Sequence, residues 1–156
     1  MKIWFLRHGV AIDREVWDRD DSERPLTPDG ISRMKREAKT MASLDVSPSV
    51  ILTSPLVRAK QTADVVADRL KLKAVSDDRL GLDFDAEAIR AIAAERGGAA
   101  SIMVVGHEPS MSETIGAITG GSHLDLKKGG LACVDFDDEK GTATLTLLLA
   151  PKVLLA

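Results

Sequence analysis

Apolar residues fall along this chain in two alternating patterns: short continuous runs, and stripes spaced by three and four. Residues 2–6 are near-continuously apolar through Ile3-Trp4-Phe5-Leu6, as a strand covered on both faces should be. The stretches SVILT (49–53) and SIMVV (101–105) repeat that pattern, and LKAV (72–75) is a candidate short strand. Between the runs lie helical stripes. Thr27-Pro28-Asp29 predicts a helix start, with Thr27 as cap and proline at the first position. Ile31, Met34, Ala38 and Met41 then give one apolar face. Ser54-Pro55 repeats the cap-then-proline signal, and Val66 and Leu70 carry a second helix to about residue 70. Asp85 predicts the cap of a third helix carrying Ile89 and Ile92, which stops at Gly97-Gly98. Pro109 opens a fourth with Met111, Ile115 and Ile118, ended by Gly120-Gly121.

The last third changes character. LACVDF (131–136) and TATLTLLL (142–149) flank a turn-rich DDEKG, so the two strands should pair antiparallel. The element order predicts an α/β fold, a three-layer α/β/α sandwich. Its central sheet is mainly parallel, with antiparallel strand pairing near the C-terminus. Residues 13–25, DREVWDRDDSERP, lack apolar periodicity and read as an exposed loop. Neither repeat nor linker interrupts the pattern, and one domain is expected over 1–156.

Composition narrows the function. The net charge of −3 argues against a nucleic-acid-binding face. Three Phe, two Trp and no Tyr argue against single-strand stacking platforms. The single cysteine, Cys133, allows no internal disulfide and no zinc cluster. Lys2 is followed by only four apolar residues before Arg7, too few for a secretory signal. The late run Leu147 to Ala150 is too short to span a bilayer. A cytoplasmic protein without a membrane or nucleic-acid partner is expected.

Candidate chemistry collects where the strong runs end. The first ends in Arg7-His8-Gly9, the second in Ser54-Pro55 with Arg58 just beyond, and the third in Gly106-His107. In an open parallel sheet, ligands sit outside the carboxyl ends of the strands. Two arginines and two histidines should therefore share one edge, joined by the positive ends of helices. An acidic protein that concentrates cationic donors there is built to hold a small anion. Phosphate fits, because guanidinium forks match its oxygens. A neutral imidazole is also a competent nucleophile toward phosphorus. Fixed cations would supply the charge that phosphoryl transfer needs, so neither metal nor cofactor is expected.

These residues resemble a known family. LRHG (6–9), SPLVRAKQTA (54–63) and VVGHEPSMS (104–112), in that order and each after an apolar strand, look like the histidine phosphatase superfamily, with its phosphoglycerate-mutase-like fold. RPLTPDG (24–30) and the short length resemble its small phosphohistidine phosphatase branch, the SixA type. The resemblance implies that His8 is the nucleophile and becomes phosphorylated. It also implies that Arg7 and Arg58 hold phosphate oxygens, and that His107 is the second histidine of the pocket. Gly9 would let the backbone approach closely, and Arg24 would stand near the pocket mouth. The substrate implied is phosphate on the histidine of a protein such as a phosphotransfer domain. The alternatives are small phosphate esters, or a catalytically silent phosphate-binding module.

Larger members protonate the leaving oxygen with a carboxylic acid. Four candidates stand here: Asp83 and Asp85 in DDRLGLDFDAE (77–87), and Asp13 and Glu108 beside the motifs. A phosphoramidate whose own ring is protonated leaves as a neutral imidazole, so it needs such an acid less than an ester does. Other polar residues read more plainly. His123 in GGSHLD reads as an exposed loop histidine and Cys133 as core packing. The carboxylates of 13–23 alternate with Arg14 and Arg19 and lack the spacing of a calcium loop, so that segment reads as solvated.

Overall fold

The computed structural model describes residues 1–156. The apolar runs form strands β1 (Lys2–Arg7), β2 (Val50–Thr53), β3 (Ala74–Ser76) and β4 (Ser101–Gly106). Helices α1 (Pro28–Ser43), α2 (Val57–Leu70), α3 (Ala86–Glu95) and α4 (Ser110–Ile118) alternate with them. The chain closes with β5 (Leu131–Asp137), β6 (Thr142–Leu149) and a single helical turn, α5 (Pro151–Leu154). No apolar stripe announces α5, because four residues are too few to carry a helical period. Short 3-10 turns lie at Asp21–Glu23 and Asp78–Leu80.

All six strands join one sheet in the order β3-β2-β4-β1-β5-β6. The first four are mutually parallel, β5 is antiparallel to β1, and β6 is antiparallel to β5. The expected mainly parallel sheet with an antiparallel C-terminal margin is therefore the observed one. Side-chain alternation splits the core into two layers. Trp4 and Leu6 of β1 pack with Met34, Met41, Ala63 and Val66 of α1 and α2. Ile3 and Phe5 pack with Ile89, Ile92, Met111 and Ile115 of α3 and α4. Both faces of β1 are covered, which is why its sequence is continuously apolar rather than alternating. Cys133 lies buried in the first layer, and His123 is exposed. No helix is long and apolar enough to cross a membrane.

Two of the helix starts form as the capping signals predict. The Thr27 side chain accepts from Gly30 N–H, and Asp85 accepts from Ala88 N–H. The Ser54-Pro55 signal is corrected: α2 starts at Val57, capped by Leu56 without a side-chain bond. Ser54 N–H instead continues the sheet by donating to Val105 O at 3.0 Å. A residue before proline is biased away from helical geometry, so the chain stays extended past Ser54. Similarly, Pro109 is the cap of α4, and the helix itself begins at Ser110.

Candidate active site

Strand register assembles the site. Arg7 of β1 stands opposite Gly106 of β4, and Thr53 of β2 stands opposite Val105. The next residues, His8 and His107 on one pair of strands and Ser54 on the other, leave the sheet side by side. Parallel neighbours lie roughly 4.8 Å apart, and the two imidazole centroids are separated by 5.3 Å with a 55° tilt. A cleft of about 400 Å³ opens here, lined among others by Arg7, His8, Arg24, Arg58 and His107. The sequence-predicted cations and histidines thus meet at one edge, although they are spread over a hundred residues of chain.

Both histidines are almost fully buried, and their hydrogen bonds set their tautomers. His8 Nδ1 lies 2.7 Å from Gly9 O. A carbonyl only accepts, so Nδ1 carries the proton and Nε2 keeps its lone pair. His107 Nε2 lies 2.7 Å from Ser54 Oγ, which accepts from Leu56 N–H at 3.2 Å. The Ser54 hydroxyl proton finds no other acceptor, so it is donated to His107 Nε2 and the imidazole proton sits on Nδ1. That Nδ1 is buried and takes no protein partner. Burial holds His8 down to about 3, opposed by the Gly9 carbonyl and aided by His107, Arg58 and Arg7. Burial and the Arg58 charge likewise hold His107 down to about 4. Both rings are neutral at physiological pH.

The arginines are fixed from behind. Arg7 Nη1 donates to Leu126 O at 3.0 Å. Arg58, in the first turn of α2 and only 2% exposed, donates from Nη1 to Asp21 O (2.8 Å) and from Nη2 to Asp21 Oδ2 (3.0 Å). The Nε of each is buried without a partner. Burial lowers the pKa of both guanidinium groups, the cost of packing cations where no counter-ion fully meets them. Arg24 donates from Nε to Asp21 Oδ1 (3.0 Å) and from Nη1 to Ile12 O (2.8 Å). One relay ties the His8 loop to the Arg58 helix: Gly9 N–H donates to Thr62 Oγ1 at 3.0 Å, and Thr62 Oγ1–H donates to Arg58 O at 2.8 Å.

Three expectations change. Gly9 does not line the cleft. A Cβ there would meet Met34 Cγ at 2.8 Å, so α1 packing against the loop itself favours glycine. Asp83 and Asp85 lie outside the cleft, both exposed, with Asp85 occupied as the cap of α3. Asp13 and Glu108 do line it. Asp13 Oδ1 accepts from Glu15 N–H at 3.0 Å. Glu108 is held by Ser112, through its N–H at 2.8 Å and its hydroxyl at 2.5 Å. The 13–25 loop is not merely solvated, since its Asp21 and Arg24 are bonded into the cleft wall. The sequence pattern places Ser54 at this edge only as a helix cap, and it singles out neither Asp21 nor Thr62. Ser54 is the last residue of an apolar run that ends beside a histidine-bearing strand, which is a usable signal. Asp21 is one carboxylate among several and gives none.

The arrangement offers buried, unpaired N–H groups on Arg7, Arg58 and His107 beside one imidazole with a free lone pair. Such a set can bind a tetrahedral oxyanion and attack it.

Residues 3–81 match the family model described as the histidine phosphatase superfamily (branch 1). An uncharacterized protein of Picosynechococcus sp. is 37% identical over 139 residues, spanning 84% of this chain and 82% of the relative. Phosphohistidine phosphatase SixA of Escherichia coli is 28% identical over 157 aligned positions, spanning 97% of this chain and 94% of SixA. A solved structure of the protein histidine phosphatase SixA complexed with tungstate is similar with a TM-score of 0.88 at 28% identity, covering 99% of both chains.

Proposed function

The chain belongs to the histidine phosphatase superfamily, branch 1, and from that premise we propose that it hydrolyses phosphohistidine on a protein through a covalent intermediate on His8. The observation that carries the reading is the His8 Nδ1 bond to Gly9 O at 2.7 Å. It keeps Nε2 unprotonated and available for attack on phosphorus. Burial supports the same state by keeping the ring neutral far below its ordinary range.

In the first step Nε2 forms a bond to phosphorus while the bond to the substrate nitrogen breaks. The departing ring is already protonated on its other nitrogen and leaves as a neutral imidazole. Arg7 and Arg58 meet the phosphoryl oxygens, and His107 Nδ1–H donates to one of them. Arg24 stands at the mouth for the same anion. The transition state spreads charge over those oxygens, so fixed donors in a buried site stabilise it without reorganising. In the second step water adds to phosphorus and the P–Nε2 bond breaks. Throughout, Nδ1 keeps its proton on the Gly9 carbonyl, so His8 is itself released as a neutral imidazole. Both water protons depart with the phosphate, as dihydrogen phosphate.

Tungstate, held by the SixA relative of the same fold, is a tetrahedral oxyanion, and this supports an oxyanion in the present cleft. A second reading, hydrolysis of small phosphate esters, is favoured by Asp13 and Glu108 lining the cleft, because an ester needs an acid for its leaving oxygen. The deciding experiment is a substrate panel of a phosphorylated phosphotransfer domain, phosphoramidate and sugar phosphates, run on wild type and His8→Ala. Fastest turnover of the phosphoprotein, with acid-labile phosphate trapped on wild type alone, is expected. Undiminished turnover by His8→Ala sinks the covalent reading, and preference for sugar phosphates sinks the substrate.

A further inference from the structure

One carboxylate gathers three arginines at the cleft wall. Asp21 Oδ2 accepts from Arg58 Nη2 at 3.0 Å, and Oδ1 accepts from Arg24 Nε at 3.0 Å. Arg14 Nε stands 3.7 Å from Oδ1. The Asp21 backbone also takes part, its carbonyl accepting from Arg58 Nη1 at 2.8 Å. Arg58 and Arg24 side chains are 2% and 11% exposed, whereas Arg14 is 73% exposed, so the first two contacts form the built part of the cluster.

The turn that carries Asp21 is itself fixed. The Asp20 side chain accepts from Ser22 N–H at 2.9 Å, and Trp17 Nε1–H donates to Asp20 O at 2.9 Å. Arg24 Nη1 reaches across to Ile12 O. Asp21 is thus held from its own loop and grips a guanidinium that comes from a different element, α2. Arg58 spends two of its five N–H donors on Asp21. The rest of its planar fork is thereby oriented, and its buried Nε–H finds no protein acceptor. Nothing else in the hydrogen-bond network holds that guanidinium. Like charges compound the need: Arg24 and Arg14 both act electrostatically against Arg58, and a shared carboxylate offsets that repulsion.

We propose that Asp21 is a positioning residue for oxyanion binding, holding Arg58 and Arg24 so that their remaining N–H groups are presented to the cleft. The proposal rests on the phosphatase reading for its substrate but is tested by affinity, which needs no turnover. Asp21 touches no phosphate oxygen; it acts through the guanidinium groups. A flexible arginine would have to give up rotamer freedom on each binding event, and a pre-oriented one does not.

The experiment measures the dissociation constant of orthovanadate for wild type, Asp21→Ala and Asp21→Asn, with kcat and KM for phosphoramidate alongside. Charge-assisted bonds of this kind point to a weakening of about tenfold to a hundredfold in Asp21→Ala. Asp21→Asn keeps an acceptor oxygen and the backbone carbonyl and should fall between. Partial unfolding weakens apparent affinity only in proportion to the folded fraction, which circular dichroism measures on the same samples and which is divided out. If Asp21→Ala fails to fold, Asp21→Asn carries the test. The second arm repeats Asp21→Asn in an Arg58→Lys background, where the fork is gone. There the loss should shrink to less than about threefold, the non-additivity expected of residues acting together. Unchanged affinity in both Asp21 variants, tighter binding in either, or the same loss in the Arg58→Lys background overturns the proposal. Wild type that binds vanadate but turns over no phosphorylated substrate overturns the phosphatase reading alone. Wild type that binds no vanadate overturns the positioning proposal, and overturns the phosphatase reading with it only where no phosphorylated substrate is turned over.

Discussion

His8 and His107 each follow a paired strand residue, Arg7 and Gly106, by one position, and their rings stand 5.3 Å apart. Two imidazoles this close, in a wall that also holds Arg7 and Arg58, cannot both take protons cheaply. Burial is the largest cause, and it holds His8 to about 3 and His107 to about 4. Nitrogen-15 NMR of the ligand-free protein at pH 6 should therefore find both rings neutral, with His8 protonated on Nδ1. A midpoint near 6.5 for His8 would remove the electrostatic basis for its nucleophilic state.

The bond from Ser54 to His107 makes a second prediction. Ser54→Ala removes the donor that holds Nε2 at 2.7 Å, freeing the ring to flip or change tautomer. His107 should then lose its orientation toward the phosphoryl group, and kcat should fall about tenfold. His8 phosphorylation should still occur, more slowly. Ser54→Thr keeps the hydroxyl and should retain more activity. Equal rates for wild type and Ser54→Ala in single-turnover assays would show that His107 needs no such support.

Glu37 makes stability depend on pH. This carboxyl of α1 is 2% exposed, its Oε2 has no partner, and burial pushes it up to about 8 against the opposing charge of Arg33. Between about 4.5 and 8 the native state keeps a proton that the unfolded chain has released, so Glu37 lowers stability as pH rises. The two histidines act the other way: below about 6.5 the unfolded chain takes up protons that the fold refuses. For these three groups together, stability peaks near pH 6.5 and declines by about 2 kcal/mol toward pH 8. Glu37→Gln should abolish that decline in thermal melts in phosphate-free buffer. A wild-type melting temperature that rises steadily from pH 6.5 to 8 would contradict this account.

Two glycines separate by what stands against them. A Cβ at Gly9 meets the Met34 side chain at 2.8 Å, whereas a Cβ at Gly30 meets the Val10 carbonyl oxygen at 2.1 Å. Methionine can repack, but a backbone carbonyl in a folded loop cannot. Gly9→Ala should cost about 1–3 kcal/mol in urea unfolding, and Gly30→Ala more than that. The reverse ranking would show that Met34 is locked and the 10–27 loop yields.

Much of this was legible in sequence for definite reasons. The strands β1, β2 and β4 are covered on both faces, so their runs of apolar residues stand out sharply. Thr27 and Asp85 cap their helices through side-chain bonds that local sequence encodes. Strands that end in Arg7-His8, Ser54 and Gly106-His107 announced a shared edge. Less legible was Ser54, which imitates a helix cap until its N–H is seen in the sheet. Gly9 is less legible for a related reason: Met34, which a β-carbon there would strike, lies 25 residues further along the chain.

Periodicity and short-range hydrogen bonding suffice to specify the α/β order, the two-faced burial of the sheet and the residue types at its carboxyl edge. Tertiary structure alone decided which polar groups meet. Asp21 grips Arg58 across 37 residues, Ser54 meets His107 across 53, and Asp85 is spent on a helix cap while Glu108 reaches the cleft. The physical reason is that a hydrogen bond is specified by positions within a few tenths of an ångström. A linear pattern states only which face a residue takes, and strand register with helix packing settles the rest.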